Sequence, residues 1–302
     1  MKKIILLSVI TLFALISCTK EGVFNPKKKL SKTYSQFIAL GISGEKELQQ
    51  IFEWDGKLLN AIKDKDGVIE QQFEYNSKKQ LVKITNPESP NYYVSLSYNG
   101  SKIETQELYM DGKLFAKSEY THSGNKITEM VISLDAALLF ESPKKMTEKL
   151  SYFGIPKKMT EKLSSHAAKF PSSAQKASLP FISFYAVSLD WSGKNISKMT
   201  IRYSDEILSL LEGDNVSDWR TYVTYSYDKN ENPYYGFFGV SGELPILEAT
   251  SLSENNVTSE KFEDNEGDSE VDNYVYEYEN KFPVKRTYVY DSYSFIDFYE
   301  YE

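Results

Sequence analysis

Apolar and polar side chains alternate over short stretches of this chain, and tight-turn residues separate the stretches. The segment FEWDGKLLNAI at 52–62 is the clearest case, because Phe52 and Trp54 fall on the same side of an extended strand. Asp55-Gly56 follows, a dipeptide that favours the positive φ angles of a hairpin turn, and a second alternating run begins directly after it. The pattern predicts a strand, a turn and a second strand.

The same pattern returns along most of the chain. It recurs as FEYNSKKQLVKI at 73–84 and, more loosely, as SLDWSGKNISKMTIRYS at 188–204. Further turns are predicted at Asn99-Gly100, Asp111-Gly112, Ser123-Gly124 and Ser192-Gly193. Repetition at this spacing indicates an antiparallel meander in which each hairpin completes the buried face of its neighbour.

The period changes between residues 136 and 180. The nonapeptide PKKMTEKLS occurs there twice without a difference, at 143–151 and at 156–164. Each copy begins with proline, which the first position of a helix accepts, and continues with residues that tolerate a helix. The pattern predicts a short helical insertion near 136–180.

The C-terminal strands are rich in tyrosine. Alternation places Tyr274, Tyr276 and Tyr278 on one face of a strand, and Tyr288 and Tyr290 on one face of the next. Such stripes suit an aromatic platform for sugars or the lining of a wet cavity, so these five residues are candidates for ligand binding. The alternative is structural, because tyrosine is a favoured strand residue on half-buried faces.

The N-terminus has the features of a secretory signal at residues 1–17: Lys2 and Lys3, then an apolar run too short to span a bilayer. Its end, Leu-Ile-Ser-Cys, resembles the lipobox of bacterial lipoproteins. That resemblance implies cleavage before Cys18 and attachment of lipid to it, which predicts an outer-membrane lipoprotein of the cell envelope.

Residues 18–29 are predicted to be a flexible tether and residues 30–302 a single β-meander domain. Lys20-Glu21 matches a surface-export signal only in part, so the face of the membrane stays open.

The hairpin motif is similar to the YD-type repeats of long extracellular β-proteins. Together with the lipobox, it resembles a group of Bacteroidetes-type lipoproteins described as a domain of unknown function with a porin-like fold. The resemblance implies an all-β, up-and-down meander that curls into a porin-like barrel or a strongly curved open sheet, and it implies no catalytic residues. In KIETQELYM, alternation places Ile103 with Thr105 on one face and Glu104 with Gln106 on the other. Neither face suits lipid, so a tethered, water-soluble domain is expected.

Composition limits the chemistry that the chain can perform. Its single cysteine excludes an intramolecular disulfide, and a net charge of -8 argues against binding nucleic acid. His122 and His166 have no companion at metal-ligand spacing, so no metal, cofactor or catalytic residue is predicted. The acidic stretch EDNEGDSEVDN at 263–273 does not match a calcium loop of the EF-hand type, which favours a solvated loop and leaves calcium open.

Three functions remain open from the sequence. We expect a non-enzymatic module that binds a glycan or another envelope protein at the sheet face or the barrel mouth. One alternative is an enzyme that acts on polysaccharide and requires two carboxylates facing each other within roughly 5 to 10 Å. The other is a carrier, which requires a closed barrel with a dry cavity for an apolar ligand.

Overall fold

A computed structural model describes residues 21–135, 181–205, 220–238, 247–265, 267–289 and 293–302. The predicted signal peptide, Cys18, the predicted helical insertion with His166, and Tyr290 lie outside these ranges.

The described residues form a meander of β-strands with one short helix. The first ten strands are β1 (Leu30–Ala39), β2 (Ile42–Ser43), β3 (Glu47–Asp55), β4 (Leu58–Lys63), β5 (Ile69–Tyr75), β6 (Leu81–Thr85), β7 (Tyr93–Asn99), β8 (Lys102–Met110), β9 (Lys113–Ser123) and β10 (Lys126–Asp135). The others are β11 (Phe181–Ser192), β12 (Asn195–Tyr203), β13 (Arg220–Glu231), β14 (Asn255–Asp264), β15 (Ser269–Glu279), β16 (Phe282–Val289) and β17 (Tyr293–Tyr301). The helix α1 (Ala249–Leu252) lies between β13 and β14.

The sheet closes on itself. β1 pairs with β17 along one edge and with β3 along the other, and β2 adds a two-residue pairing to β1. From β3 to β17, each strand pairs antiparallel with the next in the sequence. Sixteen strands therefore go round a closed barrel. The predicted all-β, up-and-down meander is confirmed, and of the two predicted forms the barrel is the one found.

The two rims of the barrel are distinct. End A is the rim at which β1 begins, β17 ends, and the hairpins β3–β4, β5–β6, β7–β8, β9–β10, β11–β12 and β15–β16 turn. End B is the opposite rim, with the β4–β5, β6–β7, β8–β9 and β14–β15 turns. The predicted Gly turns are present: Gly56 at end A has a φ of 55° and Gly112 at end B a φ of 71°. A side chain would find open space at both positions, so backbone conformation is what requires glycine there.

A β-bulge follows each short hairpin of end A and changes which side chains face inward. In β7–β8, Ser97 lies opposite Thr105 while Tyr98 lies opposite Ile103, so Glu104 has no partner. The extra residue shifts the alternation by one, and Ile103 joins Gln106 on the buried face. The predicted grouping of Ile103 with Thr105, and of Glu104 with Gln106, is therefore wrong.

In most hairpins of end A, an aromatic residue ties its strand to the neighbouring strand. Trp54 donates its indole N–H to the Leu30 carbonyl at 2.7 Å, and Tyr75 donates its hydroxyl to the Leu59 carbonyl at 2.7 Å. The same bond joins Tyr98 to Leu81, Trp191 to Ile127, Tyr276 to Val257 and Tyr301 to Pro283. Buried Trp and Tyr need a partner for their polar atom, and the backbone of the preceding strand supplies it.

Two segments pack inside the barrel at end A. A sixteen-stranded barrel commonly leaves an aqueous channel. Here Phe24, from the segment before β1, packs on Trp54 and on Phe237, from the connection between β13 and β14, with ring centroids 5.6 and 5.1 Å apart. Phe237 in turn reaches Phe73 on the wall at 5.9 Å. Residues 21–29, assigned by the sequence to a flexible tether, thus differ from that expectation: they are packed against the barrel.

Candidate functional site

The predicted tyrosines line the inside of the barrel wall. Tyr274, Tyr276 and Tyr278 share the inward face of β15, while Val275 between them is 59% exposed on the outer face. Tyr274 lies opposite Tyr288 on β16, and their rings meet edge to face at 4.9 Å. The tyrosines form an inner surface and not an open outer platform.

Their hydroxyl groups are held by the protein. Tyr276 donates to the Val257 carbonyl at 2.8 Å, and Tyr278 donates to the Asp228 carboxylate. Burial raises the pKa of Tyr276 to about 12 and raises the pKa of Tyr274 and of Tyr288 as well. All three stay protonated at physiological pH, so each is a hydrogen-bond donor.

Arg286 is the cation among these tyrosines. It lies opposite Tyr276 on β16, and its Nε and Nη2 donate to Asp297 Oδ2 at 3.0 and 2.7 Å. The guanidinium carbon lies 4.5 Å from the centre of the Tyr288 ring, within the range of a cation–π interaction. The sequence-based search missed Arg286 because it followed tyrosine alone; the signal was a charged residue at an inward position of an alternating strand.

A small cavity lies on the end A side of Arg286. Its volume is about 20 Å³, and Asn232, Thr250, Asn256 and Tyr299 are among the residues that line it. That volume suits about one water molecule. It gives no support to a carrier of apolar ligands, since pockets for such molecules are typically several hundred Å³ in volume.

Glu260 adds a further ionisable group to the inner surface. It lies opposite Tyr225 on β13 and opposite Asp272 on β15, so the two carboxylates share a face of the sheet. Burial raises the pKa of Glu260, and the hydrogen bond from Tyr274 partly offsets this. The neighbouring Asp272 raises the pKa further.

Aromatic side chains extend from this cluster to the rim at end B. Phe295 lies opposite both Tyr288 and Phe37, on the same face of the sheet as Asp297. Phe37 packs on Phe295 and on Tyr293 with ring centroids 4.9 and 5.9 Å apart. These outer three rings are 38 to 46% exposed. We call Tyr293, Phe37, Phe295, Tyr288 and Tyr274 the aromatic strip.

The remaining candidates have structural partners. His122, at the end of β9, lies 3.0 Å from the Glu21 carboxylate. In the acidic stretch, Asp268 donates its N–H to Asp264 Oδ1 at 2.9 Å across the β14–β15 turn. Within the ranges that the structure describes, three or more His, Cys, Asp or Glu residues nowhere come together as a metal site.

Among the described residues, no helix combines the length and the apolar character needed to cross a membrane.

Comparison with known proteins gives structural relatives only. No protein-family model and no curated protein matches the chain. A porin-like protein from Bacteroides vulgatus is 11% identical, with a TM-score of 0.48, and the match covers 91% of this chain and 99% of that one. A porin-like protein from Bacteroides uniformis is 10% identical, with a TM-score of 0.37, 93% of this chain and 100% of that chain being covered. The TcdB2-TccC3-Cdc42 structure matches at 10% identity and a TM-score of 0.31; 83% of this chain is covered, and the chain spans 10% of that protein.

Proposed function

We propose that this protein is a lipid-anchored module of the cell envelope whose barrel binds a glycan at the aromatic strip. The anchor is the lipid predicted on Cys18, and the module does not require catalysis. The observation that carries the proposal is the aromatic strip, which is exposed at end B and continues inward to the Arg286–Asp297 pair.

Charged side chains on the outer surface of the wall support the proposal that water, and not lipid, surrounds the barrel. Ion pairs lie along it: Lys63 with Glu53 at 3.2 Å and Lys285 with Glu277 at 2.7 Å, on opposite sides of the β1 seam. Similar pairs join Lys83 to Glu74, Lys117 to Glu119 and Lys261 to Glu263. A membrane-spanning barrel needs an apolar outer band about 25 Å tall, and an Arg or Lys facing lipid at the bilayer midplane costs about 2 to 4 kcal/mol.

The aromatic strip has the chemistry of a sugar site. The faces of aromatic rings carry negative charge density, which attracts the weakly positive C–H groups on one face of a pyranose ring. Phe37, Phe295 and Tyr293 offer such faces at the rim. Beyond them, Arg286 and Asp297 offer polar atoms that can form hydrogen bonds with sugar hydroxyl groups. Apolar walls with a few polar groups are typical of ligand sites.

Glycan arrays and calorimetry test the proposal. The folded barrel should bind one class of glycan, and the double variant Phe37→Ala/Phe295→Ala should lose at least tenfold in affinity. Tyr93→Ala is the matched control, because Tyr93 stacks on Tyr109 at 4.5 Å elsewhere on the barrel. Equal loss in both variants, or binding of envelope proteins with silence on the glycan array, would contradict the proposal. Palmitate labelling that disappears in Cys18→Ser tests the anchor separately.

An enzyme acting on polysaccharide is the second candidate, favoured by Glu260 and Asp272. Opposed residues of an antiparallel pair have Cβ atoms about 4.5 to 5.5 Å apart. A carboxyl group with a raised pKa beside a second carboxylate suits acid–base chemistry. Hydrolysis of the bound glycan by the wild type, lost in Glu260→Gln with binding retained, would support this candidate over pure binding.

A further inference from the structure

Among the residues that the structure describes, the two rims of the barrel carry opposite charge. Lysines follow or precede most turns at end A and lie in the segment that leads into β1. These lysines are Lys27, Lys28, Lys29, Lys57, Lys78, Lys79, Lys102, Lys126, Lys194, Lys229 and Lys281. The exposed ones among them are Lys27, Lys57, Lys78, Lys79, Lys194, Lys229 and Lys281.

The acidic residues of end A are fewer, and several already have a cationic partner. Lys27 pairs with Glu231 at 2.6 Å and Lys29 pairs with Glu302 at 3.0 Å. Lys194 pairs in the same way with Glu254 at 2.9 Å. Eight lysines lie beyond these pairs, so the described part of end A carries an excess of positive charge. The further carboxylates at this rim are Glu21, Asp55, Asp228, Glu248 and Glu279.

The described turns of end B have the opposite composition. Its turns carry the carboxylates Glu45, Glu47, Asp64, Asp66, Glu88, Asp111, Asp264 and Asp268. Lys46, Lys65 and Lys113 are the lysines in the same turns. The described residues are therefore polarised along the barrel axis, although the net charge of the chain is negative.

The chain enters the barrel at the positive rim. Glu21 is packed at end A, where its N–H donates to the Ser101 carbonyl at 3.1 Å and its carboxylate accepts from Ile103 N–H at 2.6 Å. Cys18 precedes Glu21 by three positions. Three residues span at most about 10 Å, so a lipid on Cys18 holds end A at the membrane surface.

We propose that end A is a docking face for an anionic lipid surface, which turns the aromatic strip at end B away from the membrane. The orientation rests on the proposed lipid at Cys18, and charge complementarity supplies the second contact. Each lysine near an anionic bilayer contributes roughly a fivefold increase in affinity.

Vesicle binding tests the docking face without the lipid. Residues 18–302 with Cys18→Ser are mixed with vesicles of phosphatidylcholine alone or with 30% phosphatidylglycerol, at low and at physiological salt. Binding is expected to the anionic vesicles only and to weaken with salt. The triple variant Lys57→Gln/Lys78→Gln/Lys229→Gln should lose about a hundredfold in affinity.

The matched control removes the same charge elsewhere. Lys65→Gln/Lys113→Gln/Lys261→Gln takes two lysines from end B and one from the outer wall, and it should bind like the parent chain. Circular dichroism and urea unfolding establish that both triple variants fold. The proposal would be overturned if the two triple variants bound equally, if neutral and anionic vesicles bound the protein equally, or if anionic vesicles bound none of it. The palmitate experiment tests the anchor independently.

A single fluorophore provides a second test of the orientation. Since Cys18 is the one cysteine of the chain, Cys18→Ser combined with Ser77→Cys or Ser89→Cys places one label at end A or at end B. Brominated lipids should quench the label at position 77 and leave the label at position 89 bright. Equal quenching, or the reverse order, would overturn the proposed orientation.

Discussion

Glu21 and His122 lie 101 positions apart in the chain, and the Glu21 carboxylate meets the His122 ring at 3.0 Å. The same carboxylate accepts the backbone N–H of Ile103 at 2.6 Å. Both side chains are largely buried, at 15% and 8% exposure. One acidic residue near the N-terminus therefore joins the entering segment to β8 and β9 at end A.

Replacing Glu21 should destabilise the barrel. Glu21→Ala leaves the Ile103 N–H and the His122 ring without their acceptor, which should lower the free energy of unfolding by about 2 to 3 kcal/mol. Urea unfolding followed by tryptophan fluorescence measures the change. Glu88→Ala is the control, because Glu88 is exposed in the β6–β7 turn. A loss below about 0.5 kcal/mol, the scale of ordinary surface substitutions, would contradict this role for Glu21.

Gly22 should tolerate a side chain less well than a turn glycine does. Gly22 has a φ of 73°, and a Cβ there would lie 2.0 Å from the Tyr98 hydroxyl oxygen, which is bonded to the Leu81 carbonyl. Gly56 has a φ of 55° and open space around it. Gly56→Ala should therefore cost about 1 to 2 kcal/mol from backbone strain, and Gly22→Ala about 1 to 3 kcal/mol more from overpacking. Thermal and urea unfolding compare the two, and equal losses would show that Tyr98 moves freely.

The hairpins could be predicted from the sequence because their signals are local. The turn dipeptides, the alternation of Phe52 and Trp54, and the short connections all act within a few residues. The bulges could not be placed, because the extra residue, Glu104 in β8, is a property of the pairing between two strands. A single such shift moved Ile103 to the other face.

The packing of the interior was beyond a local pattern as well. Phe24 meets Phe237 from the far part of the chain, and neither residue belongs to a periodic segment. The tyrosine faces of β15 and β16 were predictable from alternation. Their place on the inner wall depends on closure between β1 and β17, and so does the approach of Phe37 to Phe295.

The repeated aromatic should contribute through its polar atom as well as its ring. Tyr75→Phe keeps the ring and removes the bond to the Leu59 carbonyl, so the free energy of unfolding should fall by about 1 kcal/mol. Tyr93→Phe is the comparison on the neighbouring hairpin, where the ring stacks on Tyr109. Urea unfolding of the two variants measures the difference. Similar losses of unfolding free energy in both variants would mean that the hydrogen bond from Tyr75 to the Leu59 carbonyl adds no stability.

The stability of the barrel should depend on pH through Glu260. Burial raises the pKa of this carboxyl group in the folded state, and Asp272 adds to the effect, while the hydrogen bond from Tyr274 opposes it. The unfolded chain has the ordinary value of about 4.3. Glu260 therefore contributes stability that is fully present below that pH and is lost as the pH rises through the folded pKa. Glu260→Gln keeps the shape without the charge, so the wild type should lose stability relative to this variant as the pH is raised from about 4 toward neutrality. Urea unfolding across that range measures the difference. Glu270→Gln, on the exposed start of β15, reports the effect of removing a surface charge from the same hairpin.

A wild type that gains stability relative to Glu260→Gln with rising pH would show that Glu260 is stabilised as the carboxylate. The inner surface would then lack the proton-holding group that the enzyme candidate requires.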